Sequence, residues 1–159
     1  MSYSERYIDQ EAGRQALDFA APLLERAATD PAIGQSGVIY VVILNPARTC
    51  EVRGFEDAIL TEGVFGKPRT EWDADYAQYA RKKAQASWRL GVASGDESAA
   101  AYWREAGHAA PLAGGMVVEG ITVAVSGADP AYDEALAGAI ALSLRAILKL
   151  RESAASRRS

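Results

Sequence analysis

Between residues 4 and 29 the apolar positions Ile8, Ala12, Ala16, Phe19, Leu23 and Ala27 recur three or four apart and form one stripe. That spacing predicts an amphipathic helix. Pro22 falls inside it. Proline lacks a backbone donor and its ring clashes one turn back, so a kink, or a break into two helices near residue 20, is expected. Pro31, Gly34 and Gly37 then make "TDPAIGQSG" a loop. The next run, "VIYVVILN" from Val38 to Asn45, is β-branched and almost wholly apolar. That is the composition of a central strand buried on both faces. Asn45-Pro46 opens a turn. In "TCEVRGFE", Cys50, Val52 and Gly54 alternate with Glu51 and Arg53. The alternation predicts a half-buried strand that pairs back on the first, a hairpin over 38–56. "ILTEGVFGKPRT", with Gly63, Gly66 and Pro68, reads as a loop.

Trp72, Tyr76, Ala80, Ala84 and Trp88 follow at steps of four and predict a long helix over 70–93. Thr70 is its expected cap, with Asp73 in a near-capping-box position. A short helix follows, from a cap at Asp96 to a stop at Gly107. "MVVEGITVAVSG" reads as two short strands around a tight turn at Glu119-Gly120. Asp129-Pro130 caps a last helix, with proline at its first position. Leu136, Ile140, Leu144, Ile147 and Leu148 give that helix its apolar face. Residues 1–150 read as a single domain and 151–159 as a disordered polar tail. The order α-β-β-α-α-β-β-α, two hairpins with a helical insert, predicts an α+β fold. It has one antiparallel sheet, profilin-like or PAS-like, whose terminal helices cover one face.

Composition narrows the functional classes. The chain has 159 residues, 49% hydrophobic and 24% charged, with a formal net charge of −4 and a pI near 5.1. Such an acidic balance argues against nucleic acid or an anionic membrane as partner. No apolar run approaches a bilayer span. The polar start "MSYSERYIDQEAGRQ" does not resemble a secretory signal. Cys50 is the single cysteine, so an intrachain disulfide is impossible. These features together read as a cytoplasmic protein.

The block from Gly114-Gly115 through Met116–Val118, Glu119-Gly120, Val125-Ser126-Gly127 and Asp133-Glu134 resembles the haem-degrading, GlcG-like family. Arg81-Lys82 followed by Trp88, together with Trp72, is similar to an uncharacterised branch of that family. The resemblance runs in order over roughly residues 7–150 and implies a homo-oligomer. Some members carry His-Gly-Gly where this chain has Ala113-Gly114-Gly115, and the axial ligands of haem-binding members have no matching residue here.

Gly114 and Gly115 permit close backbone approach or positive φ. Ser126-Gly127 ends a strand just before a helix start, whose free N–H groups could hold an anion. Arg81 and Lys82 would supply positive charge, and Asp133 opens the helix. These residues are the candidate ligand-binding set, framing a pocket for a small anionic or planar molecule, possible tetrapyrroles included. The alternative is that both glycine sites are plain turns and that the protein is a non-catalytic oligomeric scaffold or partner-binding module. Haem is not favoured. His108 lies beyond a helix stop, and Cys50 and Met116 read as core residues. A hydrolytic grouping of Ser126, His108 and Asp129 or Asp133 has no nucleophile-elbow motif behind it. No metal cluster is spelled out either. Trp72, Tyr76 and Tyr79 could line an aromatic pocket, a core or an oligomer interface.

Overall fold

In the computed structural model, residues 3–51 and 53–158 are described. Helix α1 (Gln10–Thr29) leads into strand β1 (Val38–Leu44). A short helix α2 (Phe55–Ala58) precedes strand β2 (Ile59–Gly66). Helices α3 (Tyr76–Leu90) and α4 (Ala100–Glu105) follow. The hairpin of β3 (Gly115–Val118) and β4 (Ile121–Ser126) then feeds helix α5 (Pro130–Arg157). The four strands form a single sheet in the order β2-β1-β4-β3, every pairing antiparallel. This is the α+β architecture expected from the order of elements.

The side-chain alternation of two central strands divides the molecule. Ile39, Val41 and Ile43 of β1, with Ile121, Val123 and Val125 of β4, face α1 and α5. There they meet Ala16, Leu24, Ile140 and Leu144 in the main core. Val42 and Leu44, with Ala124, face the other way and meet Ala80 and Ala84 of α3. Strand β1 is therefore covered on both faces, as its continuous apolar run predicted, and the terminal helices share one of them.

The second strand lies where a loop was expected. Residues 46–51 are turn and irregular backbone, Cys50 among them, and Val52 lies outside the described residues. Strand β2 is instead built by "ILTEGVFG", with Val38 opposite Gly66 and Ile43 opposite Thr61. Its glycines suggest a loop, but one of them marks close packing. A Cβ at Gly63 would stand 2.8 Å from Leu17 Cδ1, so its absence lets α1 press onto this edge strand. Cys50 is half-exposed in the turn, not an inward strand residue.

Helix α3 begins later than predicted. The Asp75 carboxylate accepts from Gln78 N and caps it, while Asp73 takes the Tyr76 hydroxyl at 2.5 Å. Residues 69–71 form a separate 3-10 turn, and the Trp72 indole N–H donates to Lys67 O. Helix α1 runs unbroken through Pro22. Helix α5 continues to Arg157, through the segment expected to be a polar tail. There Arg151 donates to Tyr7 O and to Asp9 Oδ1, tying the end of α5 to the start of α1. No helix among the described residues is long and apolar enough to cross a membrane.

Candidate functional site

Three charged side chains stand in a row at the middle of α3, and they have three different fates. Arg81 points toward β2 and holds Glu62 through both oxygens, at 2.6 and 2.8 Å. The Glu62 carboxyl is thereby kept below its ordinary value, despite partial burial. Lys82 lies over the Tyr79 ring, its Nζ 5.8 Å from the centroid. Lys83 turns inward between the helix and the sheet, with only 7% of its surface exposed.

The inward turn follows from small residues. Ala80, Ala84 and Ser87 share the α3 face that meets the sheet, and small side chains leave room for a long stem to lie between them. The Lys83 ammonium donates to Val125 O at 3.1 Å and to Asp133 Oδ2 at 3.2 Å. Asp133, 2% exposed, accepts from Ala128 N through its other oxygen at 2.9 Å. Burial pushes the Asp133 carboxyl up to about 6, and the Lys83 charge and the Ala128 hydrogen bond work against that rise. An ammonium has three protons to donate. Two acceptors are engaged among the described residues, which leaves one N–H uncommitted.

Lys83 and Asp133 form the floor of a cleft of about 390 Å³. Its walls are Tyr76, Tyr79, the Pro111–Ala113 segment and the Ser126–Ala128 turn. The Ser126 hydroxyl makes no hydrogen bond among the described residues. Tyr76, pushed up to about 12 by burial and by its bond to Asp73, stays a neutral phenol. The site therefore offers a fixed cation, an uncommitted hydroxyl and aromatic walls. A carboxylate or a polarised carbonyl oxygen could settle on the ammonium, with a flat body against Tyr79.

The predicted site residues divide accordingly. Ser126, Gly127 and Asp133 line the cleft. Gly114 and Gly115 lie behind it, against α3. Gly114 has φ +135°, and a Cβ there would stand 2.4 Å from Val125 O and 2.9 Å from Lys83 Nζ. A Cβ on Gly115 would meet Ser87 Oγ at 2.5 Å. These glycines let β3 approach the helix. Gly127 has φ +122°, with no room for a Cβ beside Val38 O. Arg81 and Lys82 are outside the cleft, and Lys83 holds the place given to them. A usable signal was present: Ala80, Lys83, Ala84 and Ser87 are spaced i, i+3, i+4 and i+7, one helix face on which a lysine would be buried.

His108 packs edge-on to Trp103, ring centroids 5.3 Å apart, and does not line the cleft with Ser126. Met116 packs against the main core. No histidine, cysteine or methionine lines the cleft, and of its two tyrosines Tyr76 is bonded to Asp73. No group of three or more His, Cys, Asp or Glu among the described residues could hold a metal ion. No protein-family model matches the chain, and no curated protein matches it.

Proposed function

We propose that this protein binds a small anionic or planar molecule in the Lys83–Asp133 cleft and does so as a homo-oligomer. The observation that carries the reading is the buried ammonium with an uncommitted N–H beneath an open, aromatic-walled cleft. A lysine needed only to tie α3 to the sheet would gain more from a full set of acceptors. The resemblance to GlcG-like proteins supports small-molecule binding as well, through the Ser126-Gly127 and Asp133 part of its motif. Support for self-association comes from large apolar side chains left in water, with Phe19 78% and Leu150 68% exposed.

Native mass spectrometry of the gently purified protein tests both parts. The expected spectrum shows an even assembly carrying a small adduct, and the Lys83→Met variant loses the adduct while keeping the assembly. A bare monomer at micromolar concentration would refute oligomerisation. An adduct retained in Lys83→Met would refute the site. If the cleft stays empty and the even assembly persists, the scaffold or partner-binding alternative stands in its place.

A further inference from the structure

The sheet has two edges, and they are built differently. Strand β3 has four residues and is packed by α3 and α5. Strand β2 has eight and pairs only with β1. Its sequence, "ILTEGVFG", holds no proline and no lysine, and its register shift lies at the start, opposite Ile43 and Leu44. Its single charged residue, Glu62, is already held by Arg81. Val64 is 52% exposed, an apolar side chain left in water on this edge strand. Soluble proteins blunt an edge of this length with charges, prolines or a covering segment, because its unpaired backbone groups recruit further strands. Lys67 N donates to Gly37 O, across to the β1 side. Alternation along an antiparallel ladder gives Phe65 and Gly63 the same direction. It turns the N–H and C=O groups of Glu62 and Val64 away from the sheet.

The two ends of the strand carry opposite charge. Glu56 and Asp57 precede it, Lys67 and Arg69 follow it, and all are exposed. Glu56, Asp57 and Lys67 make no ion pair among the described residues, and Arg69 reaches Asp75 only at 3.7 Å. A second copy laid antiparallel on this edge sets acidic start against basic end at both ends of the contact. A parallel copy would set like charge against like. We propose that β2 is the surface through which two copies of this chain associate, edge to edge about a two-fold axis at Gly63, so that their sheets become one. Glu62 of each copy then lies opposite Val64 of the other, and each such pair exchanges both backbone hydrogen bonds. The proposal rests on the homo-oligomer reading above and names the surface that joins the copies.

Sedimentation equilibrium of the full-length chain over a dilution series measures the dissociation constant. Val64→Pro removes an outward N–H and none that bonds to β1, so the fold should survive. It deletes a hydrogen bond on each side of the two-fold and should weaken association by about tenfold or more. Asp57→Lys should weaken it severalfold. Adding Lys67→Glu should restore it, because the reversed charges then meet across the antiparallel contact. Hydrogen exchange gives the location: the amides of Glu62 and Val64 should be protected in the assembly and exposed on dilution. If Val64→Pro fails to fold, the charge-reversal series decides alone. An unchanged dissociation constant in Val64→Pro and Asp57→Lys would overturn this interface and leave the homo-oligomer in place. A native chain that stays monomeric at every concentration would overturn both, and would leave the edge to a strand of another protein or to none.

Discussion

The two faces of the sheet are built on opposite principles. Toward α1 and α5, β1 and β4 present Ile39, Val41, Ile43, Ile121, Val123 and Val125 to a continuous apolar core. Toward α3, β4 presents Thr122, Ala124 and Ser126, and α3 answers with Ala80, Lys83, Ala84 and Ser87. Apolar contact there is a smaller cluster, in which Val42, Leu44 and Ala124 meet Ala80 and Ala84. Ser126 stands with Lys83 at the cleft, and Thr122 lines a second opening at the far end of α3. Burial of large aliphatic side chains gives the first face its stability. The second face has a smaller buried apolar cluster, and its polar groups Lys83, Thr122 and Ser126 are buried beside open space. One strand pair thus separates the part that holds the fold from the part where a ligand is proposed.

The largest test of this contrast is a truncation on the closed face. Ile43→Ala removes a fully buried side chain and should cost about 3–5 kcal/mol in urea unfolding. Ligand binding in the surviving folded fraction should be unchanged. A comparable loss of binding at equal stability would show that the faces are not separable.

Lys83→Met comes next. It leaves Asp133 buried without its cation and should cost about 2–4 kcal/mol at neutral pH. Removing the lysine removes what holds the carboxyl down, so Asp133 rises further above 6. The loss should therefore be smaller at pH 5, where the carboxyl can be neutral, than at pH 8. A loss independent of pH would mean that Asp133 does not depend on Lys83.

The native protein carries a milder form of the same dependence. Asp133 titrates near 6 when folded, against an ordinary 3.8. The folded state holds that proton more tightly than the unfolded chain does. The corresponding stability is fully present below about pH 4 and is lost as pH rises through 6, on the order of 2–3 kcal/mol. Urea midpoints across pH 4–8 for the native chain and Asp133→Asn check this. The difference between the two curves should slope in that window and be flat above it.

The same division explains what could be read from sequence. β1 was legible because a strand covered on both faces is apolar throughout. The β3–β4 turn was legible because Glu119 and Gly120, φ +48° and +82°, are where positive φ is needed. The Asp129 cap and Pro130 placed the start of α5 to the residue, whereas its end lies at Arg157, inside the segment expected to be a tail. β2 was missed because its glycines answer to Leu17 on another element, which no local pattern records. Lys83 was missed because the resemblance pointed to its neighbours Arg81 and Lys82 as the cations of the site. Which one points inward depends on helix phase against the sheet. The buried ion pair has no local motif, since it joins residues from distant segments.

The smallest effect belongs to the residue that sequence reasoning placed in the site. Arg81 is 43% exposed and grips Glu62, itself 24% exposed, across the surface of α3 and β2. The geometry is bidentate, the better kind of surface pair, yet water screens it. Arg81→Gln should therefore cost under about 1 kcal/mol, less still at high salt. It should leave any ligand of the Lys83 cleft bound as before, because the guanidinium is committed to β2 and does not line the cleft. Calorimetric unfolding with and without 0.5 M salt (a roughly fivefold rise over ordinary ionic strength) measures the first part, and adduct retention in native mass spectra measures the second. Loss of the adduct in Arg81→Gln with a normal melting temperature would move the site two residues back along α3, to the place first inferred from sequence. Glu62→Gln separates the two explanations. It breaks the same ion pair from the other side, so it should match Arg81→Gln in both measurements if Arg81 serves only to fasten α3 to the edge strand.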